Sequence, residues 1–140
     1  EGVGEAEGDP RLQRDLSHLL THLRRALPSA DLVQTTPDFV FLNPTLAWSD
    51  TRHFSALFHP PRAYEDPAVL EEAADLYHGP FLDGFGLDDC PEFEEWATVE
   101  RAAWERRYQG VLAALVRENR KAGNLDPAIS CAQRYLALNP

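Results

Sequence analysis

The chain has 140 residues, 44% of them apolar, enough to bury one core with an appendage and too few for two large cores. No stretch approaches the eighteen or so apolar residues of a membrane span, and no signal-like pattern opens the chain, so a soluble, cytoplasmic protein with no membrane contact is expected. A formal charge of −10 excludes a surface given over as a whole to nucleic acid, and Cys90 and Cys131, in no CxxC pair, are expected as two reduced thiols.

The charge is unevenly placed. Between Pro10 and Ala30 four arginines, Arg11, Arg14, Arg24 and Arg25, face one acid, Asp15, whereas from Pro61 onward eight basic residues oppose fifteen acidic ones. A basic segment joined to an acidic body implies two different jobs. Residues 1–9, rich in Gly and Glu, read as a disordered linker. Leu12, Leu16, Leu19, Leu20, Leu23 and Leu27 then recur at helical spacing, with Arg11, Arg14, His18, His22 and Arg25 on the other side, and Pro28 ends that helix. Leu32 to Thr35 and Phe39 to Leu42 flank a Thr36-Pro37-Asp38 turn signal and predict a β-hairpin.

Asp50 is the expected N-cap of a short helix carrying Phe54, Leu57 and Phe58, stopped by Pro60 and Pro61. The next helix has Asp66 as cap, Pro67 at its first position, and Gly79 and Pro80 as terminators. Phe81, Leu82, Phe85 and Leu87 make the following loop too apolar to float in water, so it is expected to be pinned to the helices. Asp89 with Glu92 reads as a capping box opening a long helix whose apolar residues, Trp96 and Trp104 among them, cover more than one stripe. Such a helix is packed on two sides, and both tryptophans are expected to be buried. Glu100, aligned with Phe93, Ala97 and Trp104, is expected to be buried with an arginine partner. Gly123 breaks the helix, and Asp126-Pro127-Ala128 opens the last one.

Chemistry is sparse. His18 and His22 have a zinc-compatible spacing, but Leu19 stands where a metalloprotease motif needs its glutamate base, so the pair reads as a polar face. Asp83, Asp88, Asp89 and Glu94 span a calcium-loop length, but Phe85 and Leu87 occupy positions that require oxygen ligands. No phosphate loop, nucleophile elbow or paired carboxylate in an apolar cleft is present, so no enzyme, metal or cofactor is expected.

The last third fits the second half of a tetratricopeptide repeat, with Leu115, Gly123, Ala128, Ala132 and Tyr135 at the expected places and Val116 where glycine is preferred. The longer order of motifs, from Leu23-Arg24-Arg25-Ala26-Leu27 through Leu76-Tyr77-His78-Gly79-Pro80-Phe81-Leu82-Asp83-Gly84-Phe85 to Phe93-Glu94-Glu95-Trp96 and Glu100-Arg101, resembles the bacterial transcriptional activator domain of Streptomyces antibiotic regulatory protein-like regulators. The resemblance implies a mainly α fold of TPR-like antiparallel helical hairpins at residues 46–140, preceded at residues 10–45 by a helix and hairpin like the end of a winged helix. It implies that Arg11, Arg14, His18, His22 and Arg25 face DNA in the intact parent protein. It also implies contact with other protein domains or the transcription machinery, with Leu16, Leu20, Tyr77, Phe81, Phe85, Trp96, Glu100, Arg101 and Trp104 as interaction or structural residues. The helices preceding a recognition helix are not among these 140 residues, so weak DNA binding is expected of this chain alone. An uncovered leucine stripe further predicts a homo-oligomer built through residues 12–42. The alternative is a TPR-type scaffold that binds protein and never touches DNA.

Overall fold

The computed structural model describes residues 10–59 and 63–138, which divide into two compact units at Trp48 and Ser49. The expected lead-in at residues 1–9 and the prolines at 60 and 61 lie outside the described residues. Among the described residues, five α-helices and one two-stranded antiparallel sheet make the architecture mainly helical, as the sequence predicts. No helix is long and apolar enough to cross a membrane among the described residues.

In the first unit, α1 (Pro10–Ala26) ends where Pro28 forbids its continuation. A 3₁₀ turn over Ala30–Leu32, capped by the Ser29 hydroxyl accepting from the Asp31 amide, leads into β1 (Val33–Thr35). Strand β2 (Val40–Leu42) pairs with it in the register Val33 to Leu42, Gln34 to Phe41 and Thr35 to Val40. Thr36 closes the hairpin twice: its amide donates to the Phe39 carbonyl at 2.8 Å, and its hydroxyl accepts from the Phe39 amide at 3.1 Å. Among the described residues of this unit, only the Val33 side chain is buried.

The second unit runs through α2 (Asp50–Leu57), a 3₁₀ turn (Ala63–Glu65), α3 (Pro67–Asp75), α4 (Pro91–Ala122) and α5 (Leu125–Ala137). Its core joins Phe54 of α2, Leu70, Ala73 and Ala74 of α3, Tyr108, Val111, Leu112, Ala114 and Leu115 of α4, and Cys131 of α5. Small residues on α3, α4 and α5 let these helices approach closely, while His53 Nε2 and Glu72 Oε1, 2.7 Å apart, tie α2 to α3 at the surface.

Several helix ends differ from expectation. Ser49, not Asp50, caps α2, its hydroxyl accepting from the Arg52 amide, and Asp50 becomes the first helical residue. The box expected from Asp89 and Glu92 does not form, because Asp89 sits in the left-handed region at φ 65° whereas a capping residue needs an extended backbone. Cys90 is the cap residue without a side-chain bond, and Pro91, Glu92 and Glu94 in the first turn suit the helix start instead. Helix α3 stops at Asp75, several residues before Gly79, as Leu76 and Tyr77 leave the helix and pack on the core. Helix α5 begins at Leu125, one residue before Asp126, because the link from α4 is only Gly123 and Asn124. Asp66 and Gly123 act as predicted: the first accepts from the Ala68 amide, and the second adopts φ 79°, the left-handed geometry that ends a helix without a Cβ penalty.

Burial ranks the core. Leu112 is fully buried, while Ile129 of α5 is 56% exposed. Leu112→Ala is expected to lower unfolding free energy by about 2–5 kcal/mol, and Ile129→Ala by about 0.5 kcal/mol or less, in urea denaturation followed by circular dichroism.

Candidate nucleic-acid and interaction surfaces

Helix α1 is two-faced. At 3.6 residues per turn, Arg11, Arg14, His18, His22 and Arg25 fall within an arc of roughly 80°, and the six leucines fill a separate arc of roughly 100°. All five members of the basic row are exposed. Leu12, Leu16, Leu19 and Leu23 are 68%, 50%, 67% and 45% exposed, and only Leu20 and Leu27 are half-buried. The hairpin therefore leaves most of the leucine face open. The hairpin itself adds Phe39, just before β2, and Val40, Phe41 and Leu42 of β2 to the exposed apolar surface.

Arg24, part of the local positive charge in the sequence, has a different task. Its Nε donates to the Val33 carbonyl at 3.1 Å and its Nη2 to the Thr35 hydroxyl at 3.2 Å, so it fastens β1 to α1. Helical angle separates it from the other arginines, since it lies at the far edge of the leucine arc. His18 and His22 belong to no metal cluster: among the described residues no group of three or more His, Cys, Asp or Glu is gathered closely enough to hold an ion.

In the second unit, the loop from Leu76 to Cys90 covers the N-terminal half of α4. Arg101 of α4 reaches back across it, Nε donating to the Phe81 carbonyl at 3.0 Å and Nη2 to the carbonyls of Phe85 at 3.0 Å and Leu82 at 3.4 Å. One guanidinium thus satisfies three loop carbonyls, a match to its planar fork that a lysine lacks. Glu94 completes the fastening by accepting from the Leu87 amide at 3.0 Å. The same carboxylate would stand 3.1 Å from a Cβ placed on Gly86, so a larger residue there must displace it.

Aromatic contacts line the same seam. Phe81 meets Trp96 edge-on at 5.8 Å and lies nearly parallel to Trp104 at 6.4 Å, Phe85 meets Phe93 edge-on at 5.7 Å, and Tyr77 stacks on Tyr108 at 3.9 Å. Burial, then the neighbouring Glu105 and Tyr108, pushes the Tyr77 phenol above its ordinary range. Arg107 lies 4.3 Å above the Trp104 ring, and Arg134 bonds the Ala74 carbonyl at 3.2 Å while lying 5.6 Å from the Tyr108 ring. The Cys131 thiol is also raised, chiefly by burial, which keeps it protonated and unreactive.

Two expectations are corrected here. Trp96 is 47% exposed, with its ring contacts made to Phe81 of the loop and to Phe93 of its own helix; Trp104 is half-buried, against Phe54 and Phe81. Glu100 is half-buried and forms no ion pair among the described residues. The neighbouring Arg101 makes the tertiary contacts instead, turned toward the loop carbonyls. The sequence flagged Tyr77, Phe81, Phe85, Trp96, Arg101 and Trp104; ring contacts and Arg101 bonds join Phe81, Phe85, Trp96, Arg101 and Trp104 into one seam, while Tyr77 stacks separately on Tyr108. It missed the fastening roles of Arg24, Glu94 and Arg134, whose only signal was an ordinary charged residue on a helix. The loop is pinned but not hidden: Leu82, Phe85 and Leu87 stay 37%, 51% and 44% exposed, beside Trp96 and Val99.

Arg101→Met preserves the aliphatic stem and removes the donors. It is expected to cost about 1–2 kcal/mol, discounted for partial exposure. Amide exchange is expected to accelerate selectively over residues 82–87, with Arg101→Lys giving only partial protection and residues 108–115 unaffected.

Comparison with curated proteins and with solved structures finds no match. Comparison with protein families finds one: the bacterial transcriptional activator domain, matched over residues 52–140. The match covers α3, α4 and α5 entire, the pinned loop and nearly all of α2. That family is regulatory rather than enzymatic and belongs to regulators of the transcriptional activator type. The chain is therefore a member of the bacterial transcriptional activator domain family.

Proposed function

We propose that this chain is the effector and assembly part of a cytoplasmic, DNA-binding transcriptional regulator. The activator-domain match over residues 52–140 carries the reading. Helix α1 supports the DNA contact: its row of Arg11, Arg14, His18, His22 and Arg25 is continuous and exposed, and it precedes a hairpin in the order of a recognition helix and its wing. The basic row contacts duplex DNA in the intact protein. The leucine face of α1, together with the exposed apolar side of β2, joins a second copy. The exposed seam of Phe85, Trp96 and Val99 meets other protein domains or the transcription machinery.

A second reading, a TPR-type protein scaffold without DNA contact, is favoured by one observation. Ala114, Leu115, Ala128 and Cys131 pack an α4–α5 hairpin like a tetratricopeptide pair, and the seven basic residues of these two helices are balanced by seven acidic ones, so the pair carries no excess positive charge for phosphate.

Duplex DNA titrations followed by fluorescence anisotropy separate the two. The regulator reading predicts non-specific binding, with a Kd of roughly 10⁻⁴ to 10⁻⁶ M at physiological salt, and loss of about three units in log K per tenfold rise in salt for three arginine contacts. Arg14→Glu with Arg25→Glu abolishes it, while Arg120→Glu with Lys121→Glu leaves it unchanged. Undetectable binding, or binding indifferent to the α1 pair, makes the scaffold reading the correct one. In sedimentation, Leu16→Glu with Leu20→Glu is expected to convert an oligomer to a monomer without loss of helical content; a wild-type chain that is monomeric at high micromolar concentration overturns the assembly role of α1.

A further inference from the structure

The second unit contains a cavity of about 350 Å³ between the start of α2, the segment from Leu76 to Asp83, and the middle of α4. Its size lies within the range of small-molecule sites, which are mostly apolar with a few placed polar groups. Phe54, Tyr77, Phe81 and Trp104 supply aromatic walls, and Asp50 and Asp83 supply two carboxylates. No lysine or arginine lines it, and Arg107, which covers Trp104, is not among the lining residues. His78 also lines the space, with its Nδ1 engaged at 3.1 Å by the Leu76 carbonyl.

The cavity is preformed. Arg101 holds the carbonyls of Phe81, Leu82 and Phe85, and Leu82 on its wall stays at φ 52°, a left-handed conformation that a non-glycine residue keeps only where its surroundings hold it. Asp83 Oδ2 stands 3.9 Å from the position of a Cβ on Gly79, which sets this carboxylate over the Gly79 backbone. Such a fixed wall lowers the ordering cost of filling the space.

We propose that this cavity is a binding site for a small organic cation with an apolar body, an arylalkyl or branched alkyl amine. Aromatic faces attract an ammonium group through their quadrupoles, and two carboxylates without a basic neighbour on the lining repel anions. The apolar body displaces water from the aromatic walls, and the ammonium group sits toward Asp50 and Asp83. Binding bridges α2, the pinned loop and α4. The proposal stands independently of the DNA reading, since every lining residue belongs to the second unit.

The test uses the full chain and three probes of similar shape: 2-phenylethylammonium, 2-phenylethanol and 3-phenylpropionate. Amide and indole chemical shifts are followed during titration. The ammonium probe is expected to saturate with a Kd of about a millimolar, as befits so small a ligand, and to move resonances of residues 50–54, 76–83 and the Trp104 indole. The alcohol binds more weakly, and the carboxylate does not saturate. Asp50→Asn and Asp83→Asn each weaken the ammonium probe by roughly 2- to 5-fold and leave the alcohol unaffected, with circular dichroism confirming the fold of each variant. No saturable shift at these residues overturns the proposal, as does equal binding of all three probes or indifference of the ammonium probe to both variants.

Discussion

The length of α4 is the constraint around which the second unit is organised. Its 32 residues extend roughly 48 Å, longer than any neighbouring element can cover alone. The C-terminal half is covered by helices: α3 and α5 meet Tyr108, Val111, Leu112 and Leu115 there. The N-terminal half has a loop instead. Loops carry polar backbone groups that need partners, and Arg101 and Glu94 supply them, so the cover of the first half of α4 is fastened by side chains of α4 itself. The cavity and the exposed aromatic seam both follow, because an irregular segment cannot close over a helix as densely as another helix does.

The fold was legible where periodicity and punctuation agreed. The Asp66-Pro67 start, the Gly123 stop and the Thr36 to Phe39 turn are local signals whose chemistry is complete within a few residues. The misread helix starts had two equally good local candidates. Ser49 and Asp50 both cap helices well, and nothing local shows that Asp89 adopts positive φ. Trp96 was misjudged because an apolar arc shows that a helix has partners but not how far along they extend. Arg101, Glu94 and Arg134 act over 7 to 60 residues of sequence separation, where spacing carries no information. The cavity was illegible for the same reason: Phe54, Phe81 and Trp104 meet only in three dimensions.

Charge divides the chain in a way that fits its family. The exposed arginines of α1 stand on a helix that itself contains one acid, Asp15, while the second unit carries most of the carboxylates. Within that acidic part, four positive side chains are committed to structure: Arg101 to loop carbonyls, Arg134 to the Ala74 carbonyl, and Arg117 and Lys121 to Glu118, whose carboxyl they hold below its ordinary range. On the proposed reading, this acidic unit disfavours phosphate contact and leaves it to the first unit.

The most direct test of this division is a map of amide shifts as the full chain is titrated with duplex DNA at low salt. The proposed division predicts perturbations confined to the Arg11 to Arg25 face of α1 and to the hairpin at residues 33–42. Residues 63–138 should remain unperturbed. Perturbations centred on Arg117, Arg120 and Lys121, or spread evenly over both units, would contradict it.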